Sequence, residues 1–379
     1  MRISGLTNSL KSMTNSYKYL FLRSVVDLIK DSNFKKNTFT FEEIALEMLS
    51  NSWRLILFWK FSFGSQDKVE FYIQKAVNAH PEIKKINEIK DKKEIKIILR
   101  SINFNEYKEI MRYVPQRILR GFFSAELRGK KDGVKDKLTI QLSQSDRNCL
   151  YSIDTSLEDL NPHTPPSIGK RRIVINKSWM DYFKQNMPIV IGWMERYWID
   201  YLANRNPSMP NISNKVKPDI SRDLTKQRNI WKDFMKVHKV HCIYTGIRLS
   251  PNTFALDHFI PFSFTAHNQY WNLIPVLSNF TKHDQKNANS SKSNILPHEQ
   301  YIEEFIHFQI EFLKFISDDL LKSDFIKINV EYRHFLGITG NLSDWTLVKQ
   351  KYEDKILRQI NTASSHGFTS NWIYSTQDS

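Results

Sequence analysis

The chain has 379 residues, with 55 Lys and Arg against 40 Asp and Glu, a formal net charge of +15. That length predicts about two or three domains, and 41% hydrophobic with 13% aromatic residues argue for buried cores rather than a disordered chain. Only 11 glycines, with no G-x-x-x-x-G-K-[ST] and no G-x-G-x-x-G, argue against P-loop ATPases and ordinary Rossmann oxidoreductases, and two cysteines (Cys149, Cys242) exclude a disulfide scaffold or a four-cysteine zinc site.

The first residues, MRISGLTNSLKSM, lack the apolar core of a signal peptide, and the run Leu55–Trp59 stops at Lys60, far short of the roughly 18 residues that span a bilayer. A cytoplasmic, soluble protein with an anionic partner and no membrane is expected. Tyr17–Ile29 reads as a buried helix. Thr40 followed by Glu43 forms a capping-box pattern opening a second helix through Ile44, Leu46, Met48 and Leu49. Trp53–Phe63 has helix-like apolar spacing closed by Gly64, and a Lys-rich helix pair is predicted over 67–112. The texture then changes. Leu138–Leu142 alternates like a strand, Arg172–Ile175 reads as another, and Pro162, Pro165 and Pro166 separate them. Residues 179–204 return to helix, 204–218 read as an irregular connector, and a short helix covers 220–236. After Pro297, Ile302, Phe305, Ile306, Phe312, Leu313, Ile316 and Leu320 share one helical face, opposite Glu303, Glu304, His307, Glu311, Lys314 and Asp318. The expected organisation is a basic helical module at 1–125, a mixed region at 126–235, a chemistry-bearing module at 236–300 and a helical region at 301–379.

The charge is uneven. Residues 1–235 carry 41 basic and 26 acidic side chains, a net of +15; 236–300 carry 6 and 3; 301–379 carry 8 and 11. Such a basic body suits phosphate backbones, whose neutralisation releases condensed counterions.

Six of the 11 histidines fall between 238 and 298. That region reads His241-Cys-Ile-Tyr-Thr-Gly246, Leu256-Asp257-His258-Phe-Ile-Pro261, Trp271-Asn272-Leu-Ile-Pro-Val276 and Asn289-Ser-Ser-Lys292-Ser-Asn294-Ile-Leu-Pro297. A carboxylate with an amide or imidazole partner holds one hard divalent cation that keeps several waters. A histidine near its natural pKa beside it can take a proton from an attacking water. Asp257 and His258 are adjacent, so a regular strand points them to opposite faces, and a sharp loop near Pro261 is expected to bring both to one site.

These four segments resemble HNH nucleases, the ββα-metal fold found in RNA-guided CRISPR effectors and restriction-like bacterial enzymes. The resemblance covers about 240–297 and implies a mainly helical α+β chain with the nuclease module toward its C-terminus. It implies Asp257 and Asn289 as metal ligands, His258 as general base and Asn272 as the brace that orients it, with Lys292 on a phosphate or supporting the fold. Asn279 or His283 is the rival to Asn289. Mg²⁺ is the implied cofactor, with Mn²⁺ as the alternative; Cys242 lacks a partner cysteine at Thr245, so no structural zinc is expected. The implied activity is phosphodiester hydrolysis, of DNA ahead of RNA, in bacterial restriction or antiphage defence. Two alternatives stay open: an effector subunit silent until a partner ATPase or sensor releases it, and a degenerate HNH module that only binds nucleic acid. A homodimer is compatible with either. Four further stretches, 15–18, 62–67, 114–117 and 205–207, resemble N-terminal parts of bacterial HNH proteins and carry no assigned activity.

Overall fold

The computed structural model describes residues 1–11, 13–83, 86–155, 171–217, 223–278, 294–318 and 323–374. They form two compact units, one of residues 1–57 and 61–207, the other of 58–60 and 208–379. The architecture is mainly helical α+β, as the sequence predicts. Among the described residues no helix is long and apolar enough to cross a membrane.

In the first unit α1 (Ile3–Leu10), α2 (Tyr17–Asp31), α3 (Phe41–Leu57), α4 (Val69–Asn78), α5 (Lys92–Leu99), α6 (Phe104–Tyr107), α7 (Val114–Leu119), α8 (Asp132–Ser145) and α9 (Lys177–Arg205) surround a small antiparallel sheet. Its strands β1 (Thr38–Thr40), β2 (Tyr151–Asp154) and β3 (Arg172–Ile175) lie in the order β1-β3-β2. The capping box is formed: the Thr40 amide donates to Glu43 at 2.8 Å and the Glu43 amide to Thr40 Oγ1 at 3.1 Å. From that start α3 runs through Trp53 without a break and stops at Leu57, so the apolar residues up to Phe63 lie beyond the helix. Phe21, Val25 and Ile29 of α2 are buried, as are Ile44, Met48 and Trp53 of α3, which is the usual consequence of i, i+4 apolar spacing on two packed helices.

Leu138–Leu142 is not a strand; it lies inside α8. The buried positions there are Thr139 and Ser143, four residues apart, and their hydroxyls donate to Lys135 O and Ile140 O at 2.7 Å each. Five alternating residues are too short a signal to outweigh the helix-spaced pair that packs.

In the second unit α10 (Ile212–Val216), α11 (Thr225–Val237), α12 (Phe262–Thr265), α13 (Ile302–Asp318), α14 (Ser323–Leu336) and α15 (Trp345–Ser365) frame two sheets. Strands β4 (Phe254–His258) and β5 (Leu273–Leu277) pair antiparallel, while β6 (Ile295–Pro297) and β7 (Thr369–Trp372) pair parallel. The apolar face of α13 is buried as its periodicity predicts, Leu320 excepted because it lies outside the described residues. The stretch 204–218, expected to be an irregular connector, contains α10. Buried Lys215 of that helix donates to Phe264 O at 2.5 Å, and Asn211 donates to Thr265 O at 2.7 Å. A five-residue helix carries too little periodicity to be read in advance.

Candidate active site

The site begins with a turn. Cys242–Ile247 closes a hairpin in which the Cys242 amide donates to Ile247 O at 2.9 Å and the Gly246 amide to Cys242 O at 2.8 Å. Gly246 takes φ +68°, a conformation that side chains with a Cβ resist. The turn carries Tyr244, which is buried and donates its hydroxyl to Asp257 Oδ2 at 3.2 Å. Burial first, and then the Asp257 charge, raise the Tyr244 phenol well above its ordinary pKa. It therefore remains a donor and fixes that carboxylate.

Asp257 and His258 are the last two residues of β4, paired in register with Ile274 and Leu273 of β5. Asp257 is half-buried, His258 is 5% exposed. Immediately beyond, the chain turns, and Asn272 holds that turn. Its amide is fully buried; Oδ1 accepts from the Ile260 amide at 2.8 Å and Nδ2 donates to Ile260 O at 2.8 Å, while Asn272 O accepts from the Phe259 amide at 2.9 Å. One side chain thus satisfies both backbone groups of a residue two positions after His258, which would otherwise be buried without partners.

Side chains of three helices grip the segment that bears Asn272. Gln309 of α13 donates to Leu273 O at 2.6 Å, Glu331 of α14 accepts from the Tyr270 amide, and Tyr352 of α15 donates to Trp271 O. Stacked rings reinforce this frame, Phe259 on Phe305 at 3.8 Å and Trp271 on Phe335 at 3.9 Å.

The His258 ring has a defined tautomer. Its Nε2 lies 3.2 Å from Asn268 Oδ1, and Asn268 Nδ2 donates to Asp223 O at 3.2 Å. A backbone carbonyl only accepts, so the Asn268 amide must turn its NH₂ toward Asp223 and its oxygen toward His258. Nε2 then carries the ring hydrogen and Nδ1 carries the lone pair. The neighbouring His267 is pushed down to about 4, by burial first and then by the Lys215 charge, so it is neutral near pH 7.

Of the residues singled out by sequence, Asp257 and His258 end β4 as successive paired residues and Asn272 holds the turn that follows, so the sharp loop expected to bring the first two onto one face begins only after His258. Asn289 and Lys292, with the rivals Asn279 and His283, lie outside the described residues. Tyr244 and Asn268 were not anticipated. Among the described residues no group of three or more His, Cys, Asp or Glu side chains converges. The donor at the strand end is a half-buried carboxylate held by a phenol, with an imidazole next to it in the chain. That set fits a hard divalent cation retaining most of its water better than a zinc ion in a closed cage.

Residues 242–298 match the family model of HNH endonucleases. The segment is an HNH endonuclease domain. No curated protein and no solved structure matches the chain. The HNH domain so defined contains the Tyr244 turn, both strands of the β4–β5 pair, Asn268 and Asn272. The helical grip of α13–α15 is supplied from beyond its C-terminal limit. HNH endonuclease domains act on nucleic acid.

Proposed function

We propose that the chain is a metal-dependent endonuclease that hydrolyses phosphodiester bonds, of DNA ahead of RNA. The observation that carries this reading is the His258 ring, anchored through Nε2 on Asn268 and next to the Asp257 carboxylate in the chain. Asp257, with Asn289 as the second ligand, would hold Mg²⁺ or Mn²⁺, which when bound stabilises negative charge on the phosphate oxygens. His258 Nδ1 takes a proton from water as the water oxygen bonds to phosphorus. The bond from phosphorus to the 3′-oxygen breaks, that oxygen takes a proton from solvent water, and the products are a 5′-phosphate and a 3′-hydroxyl. Asn272 keeps the turn after His258 in place, and Lys292 is the candidate for either a phosphate contact or support of the fold. A role in bacterial restriction or antiphage defence rests on the resemblance of the D-H-F-I-P, W-N-L-I-P and N-S-S-K-S-N-x-L-P run.

The test is a cleavage panel of plasmid, single-stranded DNA and RNA with Mg²⁺, Mn²⁺ or EDTA. The wild type should cut DNA with metal and not with EDTA, and His258→Ala should lose about 10²-fold or more in rate while keeping its affinity. Equal rates for the two proteins, or no cutting of any substrate with either metal, overturn the reading.

A further inference from the structure

The four stretches left without an activity by the sequence meet in the first unit. Ser16 donates to Asp67 through its amide at 3.0 Å and its hydroxyl at 2.5 Å, and the Lys68 amide donates to the Tyr17 hydroxyl at 2.8 Å. Arg205 donates to Thr14 O at 2.8 Å, and the Ser62 amide donates to Asn206 Oδ1 at 2.8 Å. Lys18 from the first stretch and Arg117 from the third line one cleft of about 390 Å³, together with Arg120, Thr14 and Asp132.

Three cationic side chains, Lys18, Arg117 and Arg120, line that cleft together with one carboxylate, Asp132. Arg120 is paired with Asp132 at 3.1 Å and Asp136 at 2.6 Å. Arg117 is half-buried and has no ion pair among the described residues. Its guanidinium lies 4.5 Å from the centre of the Tyr113 ring, and its Nε is buried without a hydrogen-bond partner. Lys18 is held below its ordinary pKa by burial first and then by the charges of Arg117 and Arg120. Cations kept together in a part-buried cleft repel one another, and an anion relieves that repulsion. No aromatic or aliphatic side chain lines the cleft, so a nucleobase finds no stacking surface there. A phosphate does find donors.

We infer that this cleft is a phosphate-binding site of the N-terminal unit, in which Lys18 and Arg117 clamp one phosphate of a nucleic-acid backbone without reading its bases. The source of that phosphate rests on the nuclease reading; the anion chemistry of the cleft does not.

The experiment uses the full chain carrying His258→Ala, so that substrate survives, with and without Lys18→Gln and Arg117→Gln together. Binding of two short DNA duplexes of unrelated sequence is measured across a salt series, and melting is followed with and without inorganic phosphate. The double variant should bind both duplexes roughly three- to tenfold more weakly, and its log K against log salt slope should flatten by about one. Its melting temperature should equal or exceed the parent's, because repulsion is relieved, and phosphate should raise the parent's melting temperature more than the variant's. Arg117→Lys alone, which keeps the charge, should keep the slope. Unchanged affinity and slope, a loss confined to one sequence, or a fall in melting temperature for both variants overturns the site. If the enzyme with His258 intact cuts DNA and the double variant binds as the parent does, this site is wrong and the nuclease reading stands. If that enzyme cuts nothing while the phosphate response is lost in the double variant, the site stands and the nuclease reading falls.

Discussion

His258 is controlled by a residue whose importance no spacing rule conveys. Asn268 receives its orientation from Asp223 O, 45 residues upstream, and passes it to the imidazole. Asn268→Ala removes the acceptor, frees the ring to change tautomer and should lower kcat by about 10- to 100-fold with little change in KM. Asn268→Asp places a carboxylate against Nε2 and favours the protonated ring. The acidic limb of the pH–rate profile should therefore move up by about one unit. A limb that stays in place, with undiminished kcat in the alanine variant, removes Asn268 from the mechanism. Asn272 acts on the backbone instead: Asn272→Ala leaves the buried Ile260 amide and carbonyl without that partner and should cost roughly 2–4 kcal/mol in urea unfolding. Asp257, His258 and Asn272 were legible because their order and neighbouring residues form one run. Tyr244 was not, since an aromatic beside a buried cysteine reads as core until its hydroxyl is seen on a carboxylate.

At the level of elements, the strand pair carries the site and the helices hold it still. The amphipathic face of α13 was readable from periodicity alone, but its consequence was not. Gln309 sits fully buried within that apolar face, and only the fold shows that it reaches the carbonyl of Leu273. Glu331 makes a similar reach from α14 to the Tyr270 amide, and burial pushes its carboxyl up to about 7 against the lowering effect of the Tyr270 and Trp271 amides. A carboxyl with a folded pKa above its unfolded value binds protons more tightly in the native state. Its stabilising contribution is complete below about 4.5 and is lost as pH rises through about 7. Glu331→Gln keeps an acceptor for the amide and removes the titration. The variant should melt within a degree or so of the parent at pH near 4.5 and be more stable by an order of 1–3 kcal/mol at pH 8, where the parent buries a charge. Parallel melting curves across that range would falsify the assignment. Misreading α8 and missing Gln309 share one origin: a pattern reports which residues are apolar, whereas Thr139, Ser143 and Gln309 are buried polar residues, the first two donating to their own helix and Gln309 to Leu273 O.

For the whole molecule the relevant quantity is where the charge lies. The first unit holds 34 basic and 23 acidic side chains, a net of +11, and the second holds 21 and 17, a net of +4. The upstream excess was visible in the sequence. The limits of the units were not, because Phe58–Lys60 is assigned to the second unit by contacts that no linear composition shift reveals. Binding through phosphates and chemistry at one strand end should respond to salt differently. Each phosphate neutralised steepens the dependence of log K on log salt by about 0.9, so KM for plasmid should rise roughly tenfold or more between about 50 and 200 mM NaCl. On the proposed function the chemical step follows binding, so kcat at saturating substrate should change less than about twofold. On the proposed function, one HNH domain per chain opens one strand per event, so open-circular plasmid should accumulate before linear product at every salt concentration. A kcat that falls in step with 1/KM would place the salt-sensitive contacts at the reacting phosphate itself, and the basic first unit would then lose its role as the grip on substrate.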